Sequence, residues 1–343
     1  MDSAACVIDV RGIFARNPQP IATLTSEAPT STWEKRGPSA ITSRRRRNAP
    51  YLIAKRCQSP FIARRVCHGK APRTTPCSPK VPGVKGVIVS DLFSIAGKTA
   101  LVTGGSRGIG KMIATGFVEA GAKVYISSRK ADVCDEVAAE LSGLGTCIAL
   151  PANLATEDGC RRLADEIAAR EKSLDILVNN AGATWGAPMA EHDEAAFERV
   201  LALNVKALFH LTKFLTPLLQ AAGTAENPAR VINIGSIDGI QVPILETYSY
   251  SASKAAVHQL TRHLAKHLAP TVTVNAIAPG PFESKMMAAT LAAAGEQIAA
   301  SAPLRRIGRP DDMAGTAIYL ASRAASYVTG VVLPVDGGIA TLH

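Results

Sequence analysis

An α/β fold with a doubly wound parallel sheet is predicted from three features of this chain. Short apolar runs alternate with helical patterns from residue 98 to the end. A glycine-rich turn separates the first such strand from the first such helix. Small polar residues recur where later strands should end, as ligand-facing residues of an open parallel sheet do.

The first 90 residues stand apart from this pattern. They carry 16 Lys and Arg against 4 Asp and Glu, a balance of +12, whereas residues 91–343 carry 22 against 24, a balance of −2. The formal charge of +10 therefore belongs to the leader, and the body gives no reason to expect a nucleic-acid partner. Ten prolines, the block Arg44 to Arg47 and no sustained periodicity predict disorder over 1–90. Many arginines and few acids resemble an organellar transit peptide, but Asp2 and Asp9 interrupt its first turns. The preferred reading is a start of translation at the codon of Val89, since no Met lies between Met1 and Met112. A single domain is expected over 91–343, with 47% hydrophobic residues in the whole chain, ample for a core. No apolar run approaches the ~18 residues that cross a bilayer. Cys134, Cys147 and Cys160, unevenly spaced, point to a reduced compartment, cytoplasmic unless the leader is a transit peptide. No C-x-x-C pair accompanies Cys57, Cys67 and Cys77, so no metal is expected.

The first strand is expected over 99–103, followed by Gly104-Gly105-Ser106-Arg107-Gly108-Ile109-Gly110 and a helix to about 120. Backbone N–H groups at that helix start are suited to a pyrophosphate. The second strand, 123–127, ends in Ser128-Arg129-Lys130. An acid at this point would bind the ribose 2′-hydroxyl of NAD; Arg107 and Arg129 suit the 2′-phosphate of NADP instead. A helix over 132–144, a strand over 147–151, a helix over 157–170 and a strand over 174–179 follow. A long helix carrying Asn204 leads to a strand over 230–234 and to Ser236. After an apolar loop with Val242, Pro243, Ile244 and Leu245 comes a helix to about 268, in which Tyr250 and Lys254 share one face. A cation close to a phenol favours the phenolate, so this pair is suited to handling a proton. A strand over 271–277, Pro279-Gly280, helical cover over 281–302 and a last strand over 331–335 complete the chain.

Thr103-Gly104-x-x-x-Gly108-x-Gly110, Asn179-Asn180-Ala181-Gly182, Asn204, Ser236, Tyr250-x-x-x-Lys254 and Pro279-Gly280 resemble, in order and spacing, the short-chain dehydrogenase/reductase family over 91–343. The resemblance implies a seven-stranded Rossmann-type sheet of order 3-2-1-4-5-6-7 and a homodimer or homotetramer. It also implies that Ser236 bonds a substrate carbonyl, Tyr250 delivers the proton, Lys254 lowers the phenol pKa and binds the nicotinamide ribose, and Asn204 holds a water that resupplies the proton. The cofactor set it implies is Gly104, Ser106, Arg107, Gly108, Ile109, Gly110, Arg129, Asn153, Leu154, Asn180, Ala181, Gly182, Tyr250, Lys254, Pro279, Gly280 and Ser284. Asn153 stands where the family usually has Asp, and Ser284 where it has Thr. Residues 183–187, 226–236 and 255–260 are similar to the rhamnolipid-biosynthesis branch of 3-oxoacyl-acyl-carrier-protein reductases.

The expected activity is hydride transfer from NADPH to a 3-oxoacyl carbonyl. A sugar, polyol, steroid or other ketone is the alternative substrate, and a non-catalytic NADP-binding sensor the alternative class. Trp185, Val242, Ile244, Leu245, Phe282, Met286 and Met287 are expected to bound an acyl pocket, although about half are expected to be core or oligomer contacts. Arg305, Arg306 and Arg309 read as a solvated charged face, and alternatively as a surface for an acidic acyl carrier protein.

Overall fold

The computed structural model describes residues 89–342. The expectations for the leader therefore fall outside the described residues, apart from Val89 and Ser90, which open helix α1 (Val89–Phe93).

Seven parallel strands form one sheet: β1 (Thr99–Thr103), β2 (Lys123–Ser127), β3 (Thr146–Ala149), β4 (Ile176–Asn179), β5 (Ala229–Ile234), β6 (Val272–Pro279) and β7 (Val332–Val335). Their order, 3-2-1-4-5-6-7, is the expected one. The five central strands β2, β1, β4, β5 and β6 are buried on both faces, which is why they read as largely apolar runs, whereas the edge strands β3 and β7 are mostly half-buried. In β1, Ala100 and Val102 join one core while Leu101 joins the other, as the two-residue period of a strand dictates. The first core packs the sheet against α2 (Gly108–Glu119), α3 (Ala131–Ser142) and α9 (Pro310–Ala321). The second packs it against α4 (Glu157–Arg170), α6 (Ala207–Ala222) and α7 (Tyr248–Leu268).

Besides α1, which has no counterpart in the sequence reading, the structure departs from that reading at four places. The long helix around Asn204 is α5 (Glu194–Leu201), a π-helical turn (Ala202–Lys206) and then α6. The cover over 281–302 is helical only in α8 (Ala288–Ser301), which itself breaks at Ala294, with φ −147° and ψ 25°. β6 begins at Val272 and runs on through Pro279, past its expected end at 277. Helix α9 has no counterpart in the sequence reading, although Pro310 at its first position and acidic Asp311 and Asp312 in its first turn are helix-start signals.

Candidate active site

The carboxyl ends of β1, β2, β4, β5 and β6 bring most of the expected residues to one edge of the sheet. Gly108 in the turn after β1 has φ +52°, and a Cβ there would lie 3.1 Å from that of Ser284. A Cβ on Gly110 would stand 2.3 Å from the carbonyl oxygen of Gly104, so the turn can close this tightly only without a side chain. Arg107, the residue before α2, makes no side-chain cap, so the first N–H groups of the helix have no cap from it. These features fit a pyrophosphate. Ser106 is buried and Ile109 half-buried against the first core. Arg107, just before α2, and Arg129, two residues past β2, are both exposed.

The opposite wall is built by Asn180, Ala181 and Gly182. The Asn180 amide donates to the carbonyls of Thr103 (2.8 Å) and Gly104 (3.2 Å), and the Ala181 N–H donates to Thr103 Oγ1 at 3.0 Å. Asn179, below them, is buried and donates to Thr212 and Asn233. Asn153 is exposed and its side-chain oxygen accepts from Ala155 N–H at 3.2 Å. Leu154 has its side chain in the second core, which leaves only its backbone for a ligand. Ser284 accepts from Met287 N–H at 3.2 Å, so its O–H is left to donate. Gly280 is pressed against Asp336, whose carboxylate caps the turn by accepting from Gly338 (2.9 Å) and Ala340 (2.7 Å).

Ser236 follows β5 and Tyr250 lies on the first turn of α7. Burial pushes the Tyr250 phenol up to about 12, the Ser236 hydroxyl acts to lower it and the charge of Asp238 adds to the rise. Lys254 is 5% exposed and donates to the carbonyl of Ile234 at 2.8 Å. Burial brings it down to about 8, while Asp238 holds it up. The ammonium is turned to Ile234 and lies 5.4 Å from the phenol ring centre, and burial is the largest influence on the phenol. Asn204 sits in the π turn with its amide oxygen accepting from Ala183 N–H (2.8 Å) and its amide nitrogen donating to Ala183 O and Ser253 Oγ (both 2.9 Å). It ties the loop after β4 to α7 one residue from Lys254.

The expected acyl pocket divides. Phe282 is 2% exposed, belongs to the first core and bridges to Gly308. It is corrected from pocket to core. Trp185 is half-buried beneath the guanidinium of Arg199, 4.6 Å from its ring centre. Val242 (91% exposed), Ile244 (75%) and Met286 (46%) present free apolar surface, and Leu245 and Met287 are half-buried. In the basic cluster, Arg306 is clasped by Asp312, leaving Arg305 and Arg309 exposed. Asp238, half-buried on the turn after Ser236, was not singled out by sequence; a lone acid two residues past a serine carries no pattern of its own.

A doubly wound sheet with a glycine cradle at one strand end and a Ser, Tyr and Lys cluster at another defines a nucleotide-dependent oxidoreductase. The family model described as Enoyl-(Acyl carrier protein) reductase matches residues 104–340, and the chain belongs to the short-chain dehydrogenase/reductase family. It is 51% identical over 249 residues to the rhamnolipids biosynthesis 3-oxoacyl-[acyl-carrier-protein] reductase of Pseudomonas aeruginosa, covering 72% of this chain and 97% of that protein. It is 36% identical over 252 residues to the 7alpha-hydroxysteroid dehydrogenase of Escherichia coli, covering 73% and 96%. Among solved structures, the Pseudomonas aeruginosa RhlG/NADP active-site complex superposes with a TM-score of 0.71 at 49% identity, covering 73% of this chain and 99% of that one.

Proposed function

We propose that the protein is an NADPH-dependent reductase of 3-oxoacyl thioesters. The observation that carries the reading is the buried Lys254 ammonium 5.4 Å from the centre of the Tyr250 ring, on a helix that follows Ser236, with an uncapped helix start and two exposed arginines on the cofactor side. NADPH bound there supplies the hydride. Ser236 orients the carbonyl by donating to its oxygen, and the Tyr250 phenol donates its proton to that oxygen as charge develops on it. The phenol is protonated throughout the neutral range and so enters the reaction as the acid. Lys254 places a positive charge beside the site, and Asn204 holds the loop of Ala183 against α7 and supports the path by which the proton is replaced.

The apolar surface of Val242, Ile244 and Met286 suits an acyl chain, and the name of the Pseudomonas aeruginosa relative favours an acyl carrier protein thioester. The second reading is a steroid or other ketone, favoured by the Escherichia coli relative. Homodimers or homotetramers, and one folded unit beginning near residue 91, belong to this proposal. NADPH consumption is to be measured with an acetoacetyl thioester, a sugar and a steroid ketone. Turnover of the thioester supports the reading, turnover of only the others redirects it, and cofactor binding without turnover on all three means a sensor.

A further inference from the structure

Two buried serines on α7, Ser249 and Ser253, stand one residue before Tyr250 and Lys254, and their separation by one turn places them on one face of the helix. Each is bonded by a side chain from outside the helix. Asn204 donates to Ser253 Oγ at 2.9 Å, and His192 Nε2 shares a hydrogen bond of 3.1 Å with Ser249 Oγ. His192 follows a 3-10 turn, Met189–Glu191, in the segment between β4 and α5. Its ring is held edge-on by Tyr248, with 5.4 Å between ring centres, and by Phe197 of α5, with 5.2 Å. Its other nitrogen, Nδ1, is buried and has no partner among the described residues, so Ser249 is the polar group that orients the imidazole. The same segment meets the residues ahead of α7 a second time, where the Ala187 N–H donates to the Glu246 carbonyl at 3.2 Å. The helix needs such ties. Thr247, the residue before α7, makes no side-chain cap, so the first turn, which carries Tyr250, is not secured by a cap of its own. Helix ends fray, whereas a proton donor must be held to a fraction of an ångström.

We infer that His192 is a positioning residue of the site: through Ser249 it pins the uncapped first turn of α7, and with it the Tyr250 phenol, to the segment that leaves β4, as Asn204 pins the next turn through Ser253. The inference rests on the proton transfer proposed for Tyr250, but the pinning itself is measurable without any substrate.

The test joins two measurements on the full chain: kcat per NADPH site, with sites counted by nucleotide fluorescence, and hydrogen–deuterium exchange over residues 247–254. His192→Phe keeps a ring between Tyr248 and Phe197 and removes the bond to Ser249. It should lower kcat by about 10- to 100-fold, leave KM for NADPH nearly unchanged and speed exchange over 247–254 by about 10-fold. His192→Gln, whose amide nitrogen reaches the place of Nε2, should recover most of both. Ser249→Ala should match His192→Phe, and the double variant should be no slower than either, because each removes the same bond. Parental kcat in His192→Phe, a His192→Gln enzyme no faster than His192→Phe, or losses that multiply in the double variant overturn the inference. Should His192→Phe not fold, Ser249→Ala decides, and parental kcat and exchange in that variant overturn the inference. If the parent protein reduces neither thioester, sugar nor steroid ketone, the reductase reading fails and exchange alone decides the role of His192: faster in His192→Phe and restored in His192→Gln upholds the pinning, and unmoved overturns it.

Discussion

The Lys254 ammonium donates to the Ile234 carbonyl at the end of β5 and lies 5.4 Å from the centre of the Tyr250 ring, so one buried cation is anchored to the sheet and held against the phenol. That placement is costly. Folding takes Lys254 from 10.5 to about 8, roughly 3 kcal/mol against the native state wherever both forms are protonated. Between pH 8 and 10.5 the unfolded chain binds the extra proton, so stability from this residue rises with pH across that window. Lys254→Met should therefore raise the urea midpoint at pH 7 while abolishing reduction, and the gain should shrink as pH approaches 10.5. A lowered midpoint at pH 7 would show that the bond to Ile234 outweighs desolvation.

Tyr250→Phe removes the proton donor while leaving the ring that packs beside Lys254. Carbonyl reduction should fall by about 10²–10⁴-fold, the usual worth of a positioned acid, with little change in NADPH affinity. Nucleotide fluorescence and initial rates on one preparation separate the two effects. Tyr248 lies two residues earlier on the helix but is bonded to Glu246 at 2.9 Å, and Tyr248→Phe should leave the rate within a few fold.

Phe282 and Ile244 test the division of the expected acyl pocket. Phe282→Ala empties a fully packed site and should cost about 3–5 kcal/mol in urea unfolding. Ile244 is 75% exposed, and Ile244→Ser should leave stability within about 0.5 kcal/mol while raising KM most for the longest acyl thioester. Equal effects on stability from the two substitutions would contradict the division.

The sheet was legible because its central strands are buried on both faces and read as largely apolar runs, and because the glycine turn, Asn179-Asn180-Ala181-Gly182 and the Tyr250/Lys254 pair are fixed by local geometry. What sequence could not supply is set by tertiary contacts. The π turn at Asn204 follows where the Ala183 loop and Ser253 meet that side chain, and no residue within the helix signals it. Phe282 looks like a pocket residue in a list of apolar side chains, and only its packing near Gly308 makes it core. The direction of the Lys254 ammonium likewise depends on a carbonyl of β5, 20 residues away, so spacing along α7 gave the pair its shared face but not its electrostatics.

Arg129 stands exposed just beyond β2, and Arg107 stands exposed just before α2. An acid at the end of β2 would repel a 2′-phosphate, and none is present. Each arginine can donate two charge-assisted hydrogen bonds to that phosphate. Arg129→Ala should therefore raise KM for NADPH by about 10- to 100-fold, the worth of one or two such bonds, and leave KM for NADH nearly unchanged. Arg129→Asp should go further and invert the preference, since the carboxylate can accept from the free 2′-hydroxyl of NADH and repels the phosphate. Because the effect is electrostatic at an exposed position, it should weaken in high salt. Steady-state kinetics with both nucleotides at low and high ionic strength test all three statements; an Arg129→Ala enzyme that loses NADH and NADPH in equal measure would place the arginine in the fold rather than in cofactor choice.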